Sequence, residues 1–269
     1  MLKTDPSSVM YVELIKKVLT ASIYEESAWK IKEKKSGLGR YFLRLLKKRS
    51  LVIVKQRPLD LKKRESGEDW PMFGYTMTGH KRLNVLQDCI EKIIAENTPG
   101  DFVETGVWRG GSSIFMKALL NLHEVKQKKL WLADSFEGMP IPKDAADGWD
   151  YSDTDYLSVS LEQVKSNFEK FDLLDENVHF LKGWFSDTLP DAPISDISLL
   201  RLDGDLYSST MDSLVNLYHK VVPGGFVIVD DYFSWPACKQ AVTDYLQSHG
   251  LNPTIHQIDG TGAFWRVEK

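Results

Sequence analysis

Apolar residues recur at helical spacing over residues 9–24, VMYVELIKKVLTASIY, and again over 82–96, RLNVLQDCIEKIIAE, each giving one apolar stripe. After residue 100 the pattern changes. Short apolar runs predict strands at 101–106 (DFVETG), 129–135 (KLWLADS), 177–185 (NVHFLKGWF), 196–203 (DISLLRLD) and 224–231 (GGFVIVDD). Helical spacing fills the gaps: SIFMKALLNLHEV, SLEQVKSNFEKF (160–171), MDSLVNLYHKV (211–221) and PACKQAVTDYLQSHG (236–250). Two last pieces, PTIHQID and GAFWRVEK, are joined by GTG and predict a closing hairpin.

Strands alternating with helices predict an α/β fold with a mainly parallel sheet covered on both faces and an antiparallel edge. The runs FVIV and ISLL are continuously apolar, as doubly covered strands are. Ligands of such sheets bind beyond the carboxyl ends of the strands. That rule places Glu104, Asp134, Asp203, Asp205, Asp230 and Asp231 on one rim. The last four are read as having nothing basic beside them. Residues 1–80 are expected to form a helical, basic extension and lid that includes the aromatic loop GEDWPMFGYTMTG (67–79), and residues 81–269 the sheet domain.

The 269 residues, 42% of them hydrophobic, suffice for one large domain with an accessory segment. The net charge of −4 is divided unevenly. Residues 30–64 hold 14 Lys/Arg and two acids, leaving 20 basic and 36 acidic residues elsewhere. The favoured reading is a solvated, partly helical arm docked on acidic surface of its own or a sister chain. An anionic membrane surface, a nucleic acid or an acidic partner would also suit it. Missing aromatic interleaving argues against a single-stranded nucleic-acid platform. Cys89 and Cys238 match no metal or redox spacing, which predicts a reduced, cytoplasmic setting. The N-terminal stretch lacks a signal-peptide core, and no apolar run approaches the ~18 residues of a membrane span.

Three motifs carry chemistry. ETGVWRGGSS (104–113) reads as strand, Gly-rich turn and helix, with Ser112 or Ser113 as the expected N-cap. It is not the dinucleotide fingerprint, because Trp108 stands where a second Gly is needed. In WLADSFEGMP (131–140), Asp134 ends the next strand and suits the two ribose hydroxyls of an adenosyl group. Together these turns point to S-adenosylmethionine. The third motif is the aspartate set. Converging carboxylates repel one another, and a hard divalent cation such as Mg²⁺ or Ca²⁺ relieves that repulsion.

ETGVWRGG, ADSFEG, GWFSDTLP, LRLDGDLYSSTMDSL and PGGFVIVDDY closely resemble the macrocin/mycinamicin/novobiocin group of sugar O-methyltransferases, from about residue 70 to the C-terminus. The resemblance implies a Rossmann-like class I fold with a seven-stranded sheet, and Mg²⁺-dependent methyl transfer from S-adenosylmethionine to a sugar hydroxyl. It implies that Asp203, Asp230 and Asp231 hold the metal. It assigns the cofactor to Glu104, Thr105, Gly106, Val107, Trp108, Ser112, Asp134, Ser135, Phe136, Glu137, Gly183 and Trp184, with Thr76 and Met77 in a lid. A dimer or larger homo-oligomer is expected, and no nucleic-acid partner.

Two features depart from that group. Some members carry a proposed general-base His after the ADSFEG block, but no His lies between His123 and His179. Asp205 is the expected base instead. The basic arm is expected to be an expansion relative to that group, and both departures bear on the acceptor. Trp149, Tyr151 and Tyr156 are expected to stack on the acceptor ring. A catechol or other phenolic diol is the alternative acceptor, and a non-catalytic binding protein the alternative of another class.

Overall fold

The computed structural model describes residues 2–24, 28–31, 37–51, 53–57, 60–148 and 150–268. Trp149 lies outside them, as do residues 32–36, 52, 58 and 59 of the basic segment. The described chain runs α1 (Pro6–Leu19), β1 (Ala28–Ile31), α2 (Leu38–Lys47), β2 (Val54–Arg57), α3 (Leu61–Ser66) and α4 (His80–Ala95). It continues through β3 (Asp101–Thr105), α5 (Gly111–Leu122), β4 (Leu130–Asp134), α6 (Leu161–Glu169), β5 (Val178–Lys182) and α7 (Phe185–Thr188). Then come β6 (Ile197–Leu202), α8 (Tyr207–Leu217), β7 (Val221–Val229), α9 (Pro236–Ser248), β8 (His256–Gln257) and β9 (Ala263–Arg266).

Seven strands form one sheet in the order β5-β4-β3-β6-β7-β9-β8. β3 to β7 are parallel, and the β8–β9 hairpin adds the antiparallel edge. Successive strands run outward from β3 on one side and from β6 on the other. The order therefore reverses between β3 and β6, where open α/β sheets bind ligands.

Side-chain alternation divides the core into two faces. Phe102, Leu132, Leu199 and Ile228 join one buried cluster, and Val103, Trp131, Leu200 and Val227 the other. α1 belongs to this core: Val12, Ile15 and Leu19 share a cluster with Leu83 and Ile90 of α4 and Phe115 of α5.

α1 starts earlier than its periodicity predicts. Asp5 accepts from the backbone N–H of Ser7 (3.0 Å) and Ser8 (3.2 Å), and Pro6 presets the first turn. The basic segment is only partly helical. β1, which enters it from Ala28, pairs antiparallel with β2, from Ala28 opposite Arg57 to Ile31 opposite Val54. The two strands lie more than twenty residues apart in sequence, so periodicity over a short window does not reveal them.

Candidate active site

The first turn of the rim follows β3. Gly106 has φ +84°, and a Cβ there would collide with the Asp203 carbonyl. This close approach sets the β3 turn directly on the end of β6. Its neighbour Trp108 has φ 48° without being glycine. Phe136 (φ 54°), after β4, and Asp205 (φ 56°), after β6, repeat the pattern. Three ligand-side turns thus each hold one non-glycine residue in the left-handed region, a conformation that costs energy and collects at functional sites.

α5 begins at Gly111 behind a left-handed Gly110, with no side-chain cap. The expected Ser112 or Ser113 N-cap is therefore incorrect, because both serines lie inside the first turn. Ser113 Oγ donates to Glu104. Ser112 Oγ meets Thr76 Oγ1 (3.2 Å) and Thr78 Oγ1 (3.3 Å), tying the lid segment to the turn.

Glu104 is 1% exposed, and burial raises its pKa against the pull of Arg201. Its two oxygens go to Arg201 and Ser113. Thr105 is buried, with its hydroxyl accepting from Ser213. Both support the turn from below. Asp134 builds the second turn: its carboxylate accepts from the backbone N–H of Val107 (2.6 Å), Phe136 (2.7 Å) and Trp108 (3.4 Å). Burial raises its pKa against those bonds.

Ser135 Oγ closes the same turn on the Gly138 carbonyl, and Phe136 packs edge-on against Phe180. Glu137 is exposed, and no bond joins its carboxylate to another described residue. The Gly183 N–H donates to the Asp134 carbonyl (2.9 Å), bringing exposed Trp184 to this rim. Met77 is half-buried in the lid loop, between buried Thr76 and Thr78.

The acids form the other side of the crevice. Asp203, Asp205 and Asp231 each offer an oxygen within 4.8 Å of the other two. Asp230 is buried deeper and bonded by Arg82 and Arg201.

A family-wide profile for macrocin-O-methyltransferase (TylF) matches residues 8–267, nearly the whole chain. The chain belongs to that family. It is 45% identical over 268 residues to an 8-demethyl-8-(2,3-dimethoxy-α-L-rhamnosyl)-tetracenomycin-C 4′-O-methyltransferase of Streptomyces olivaceus, covering 98% of this chain and 94% of the relative. It is 41% identical over 271 residues to the demethyldecarbamoylnovobiocin O-methyltransferase of Streptomyces niveus, covering 98% and 95%, so the basic arm lies within the aligned length and is not the expansion expected from the sequence. The solved structure of the O-methyltransferase NovP superposes with a TM-score of 0.85 at 41% identity, covering 97% of this chain and all of that one.

In this TylF-family site the carboxylates do have basic neighbours, contrary to expectation. Arg201, 2% exposed, donates to Glu104 (2.6 Å), Asp203 (2.9 Å), Asp230 (2.5 Å) and Thr78 Oγ1 (2.8 Å). Arg82 bonds Asp230 and the carbonyls of Ser66 and Gly67, and lies 3.2 Å from Asp259. Burial works against the Arg201 charge, but Asp230, Asp203 and Glu104 outweigh it and raise the guanidinium well above its usual range. Sequence reasoning missed both arginines. One signal was present: an arginine inside the buried run SLLRL requires acidic partners.

The two arginines pair with Glu104, Asp203, Asp230 and Asp259, and among the described residues no basic side chain pairs with Asp205 or Asp231, which leaves a surplus of acid. Burial, then the Asp203 charge, pushes Asp205 up to about 7. Burial with Asp230 raises Asp203 well above the carboxylate range, and burial with Asp205 does the same for Asp231. All-oxygen donors carrying this surplus charge fit a hard divalent cation.

An aromatic ladder spans the crevice, which the sequence did not predict as a unit. Trp235, whose N–H donates to the Asp231 carbonyl (3.0 Å), meets Tyr151 edge-on at 5.7 Å. Tyr151 contacts Trp70 at 6.2 Å, Trp70 stacks on Tyr156 at 5.3 Å, and Tyr156 tilts over Trp108 at 5.3 Å. It therefore runs from the acid side to the β3 turn.

Proposed function

We propose that this O-methyltransferase moves the methyl group of S-adenosylmethionine to a hydroxyl of a sugar, and that Mg²⁺ assists. The observation that carries the reading is the packing of Gly106 on Asp203, which joins the cofactor turn and the acid rim in one crevice. Relatives named for a rhamnosyl tetracenomycin and for novobiocin direct the acceptor toward the sugar of a glycosylated natural product. A catechol has no comparable support among them.

Glu137, with its carboxylate free, is the proposed partner of the ribose hydroxyls, and Asp134 fixes the turn that presents it. Trp108, Met77 and Trp184 supply apolar walls for the cofactor. Asp203, Asp230 and Asp231 would hold Mg²⁺, which when bound lowers the hydroxyl pKa and fixes its direction. Asp205 is the general base, and its left-handed backbone sets where the carboxylate points. It takes the hydroxyl proton as the oxygen attacks the sulfonium methyl in line. An O–C bond forms, the C–S bond breaks, and S-adenosylhomocysteine leaves. Positioning in the crevice supplies much of the rate.

Association into a dimer or larger oligomer is part of the proposal. α2 turns Leu38 (90% exposed), Tyr41 (67%) and Phe42 (54%) to solvent, an apolar face that a second copy would cover. No described helix is long and apolar enough to cross a membrane, and a cytoplasmic biosynthetic role fits the reading. The test is transfer of labelled methyl from S-adenosylmethionine to aryl α-L-rhamnosides, with and without a chelator. Chelator-sensitive product is expected. Transfer to catechols alone would overturn the sugar reading.

A further inference from the structure

A cavity of about 990 Å³ opens between α2, the lid segment 72–75 and the loop 152–160. Its size is that of a pocket for a drug-sized ligand. Tyr156 and Glu137 line it, so its inner end meets the candidate cofactor rim.

α2 is oriented against the usual rule. A helix packed on a domain turns its apolar stripe inward. Here Arg40, Leu43, Arg44 and Lys47, one face at i, i+3, i+4 and i+7, line the cavity. Tyr41, Phe42 and Leu45 face solvent. Arg40 pairs with Asp153 (3.4 Å) and Lys47 with Asp155 (2.5 Å), which pins the helix to the loop. Exposed pairs of this kind contribute only about 0–1 kcal/mol each, so they do not by themselves account for the inversion.

The remaining charge is informative. Between the two pairs, the Arg44 guanidinium bonds no described residue. Arg109 sits over the rings of Trp108 (4.3 Å) and Tyr156 (5.1 Å) and donates to the carbonyls of Met72 and Gly74. Lys170 reaches Asn167 (3.1 Å). Among the described residues these three cations have no carboxylate partner, and they share the cavity with one free carboxylate, Glu137. Leu51, Ile53 and Phe73 add apolar wall.

We propose that this cavity receives the part of the acceptor beyond the methylated sugar, and that this part is an apolar body carrying an anionic group. The inference rests on the acceptor reading given above. The anion is either an acidic group on an aglycone or the phosphates of a nucleotide-sugar, and Arg44 is its principal contact. The basic arm thereby gains a role in acceptor choice.

The experiment measures dissociation constants by calorimetry in the presence of S-adenosylhomocysteine. The probes are 4-nitrophenyl α-L-rhamnoside, 4-carboxyphenyl α-L-rhamnoside and dTDP-rhamnose. One anionic probe should bind the wild type about tenfold tighter than the neutral one, the scale of one charge-assisted hydrogen bond. Arg44→Glu should erase that preference, and Arg44→Ala should reduce it, with S-adenosylhomocysteine affinity unchanged. Preference for the carboxyphenyl glycoside identifies an acidic aglycone, and preference for dTDP-rhamnose a nucleotide-sugar. Equal binding of all three probes, no binding of any, or a preference that survives in Arg44→Glu overturns the proposal. Methyl transfer to the same probes is scored separately. Absent transfer with intact anion preference sinks the sugar-methylation reading and leaves the cavity assignment standing.

Discussion

Arg201 and Glu104 stand directly opposite each other on the paired strands β6 and β3, and their side chains meet at 2.6 Å with almost no exposure. Alternation along the strands puts Asp203 and Asp230 on the same face of the sheet. One buried guanidinium therefore joins the floor of the β3 turn to the acid rim. Replacing it leaves three carboxylates short of their partner. Arg201→Met should cost about 3–5 kcal/mol in urea unfolding, the scale of a broken buried ion pair. A loss below about 1 kcal/mol, the scale of an exposed pair, would show that solvent already screens the cluster.

Asp205→Asn removes the proposed base and leaves the turn in place, because Asn tolerates the left-handed backbone. Turnover should fall by about 10²–10⁴. S-adenosylhomocysteine affinity should be unchanged by calorimetry. Wild-type turnover under chemistry-limited conditions would remove Asp205 from the mechanism.

Metal-free protein should lose stability as pH rises through neutrality. Asp205 holds its proton up to about 7 when folded, and the unfolded chain releases it near the ordinary Asp value of ~3.9. The folded state therefore binds the extra proton between those values, and its stability declines as pH rises across that window. Above about 7 the penalty is fully present. Melting in chelator should give a higher Tm at pH 6 than at pH 8, with a smaller difference in Asp205→Asn. Because bound Mg²⁺ displaces protons, its affinity should rise from pH 6 to pH 8. A flat Tm profile would contradict the crowding of the acids.

Gly106→Ala tests the close approach of the two strand ends. Positive φ and the collision with the Asp203 carbonyl both oppose a Cβ. S-adenosylhomocysteine binding should weaken by at least about tenfold, equivalent to ~1.4 kcal/mol. Unchanged binding would mean that the turn relaxes without using this contact.

The sheet was legible because its strands are short, apolar and separated by helices of clear period. Their carboxyl-end acids then fell on one rim by topology alone. What the sequence concealed was pairing. Asp134 at the end of β4 was expected to take the ribose hydroxyls, yet backbone N–H groups consume its carboxylate and leave that of Glu137, three residues on in the turn, free. Ser112 and Ser113 look like caps, but Gly110 performs that task and one serine bonds Glu104. Arg201 was visible in SLLRL, and its partners lie up to 123 residues away in sequence. The aromatic ladder draws on four segments for the same reason.

The most direct test of the account is a calorimetric titration of S-adenosylhomocysteine and then Mg²⁺ into the wild type and the Asp203→Ala/Asp230→Ala double variant. The account predicts cofactor binding in both proteins and a Mg²⁺ signal in the wild type alone. Cofactor binding with no Mg²⁺ signal in the wild type, or a signal that persists in the double variant, would contradict the metal-assisted site.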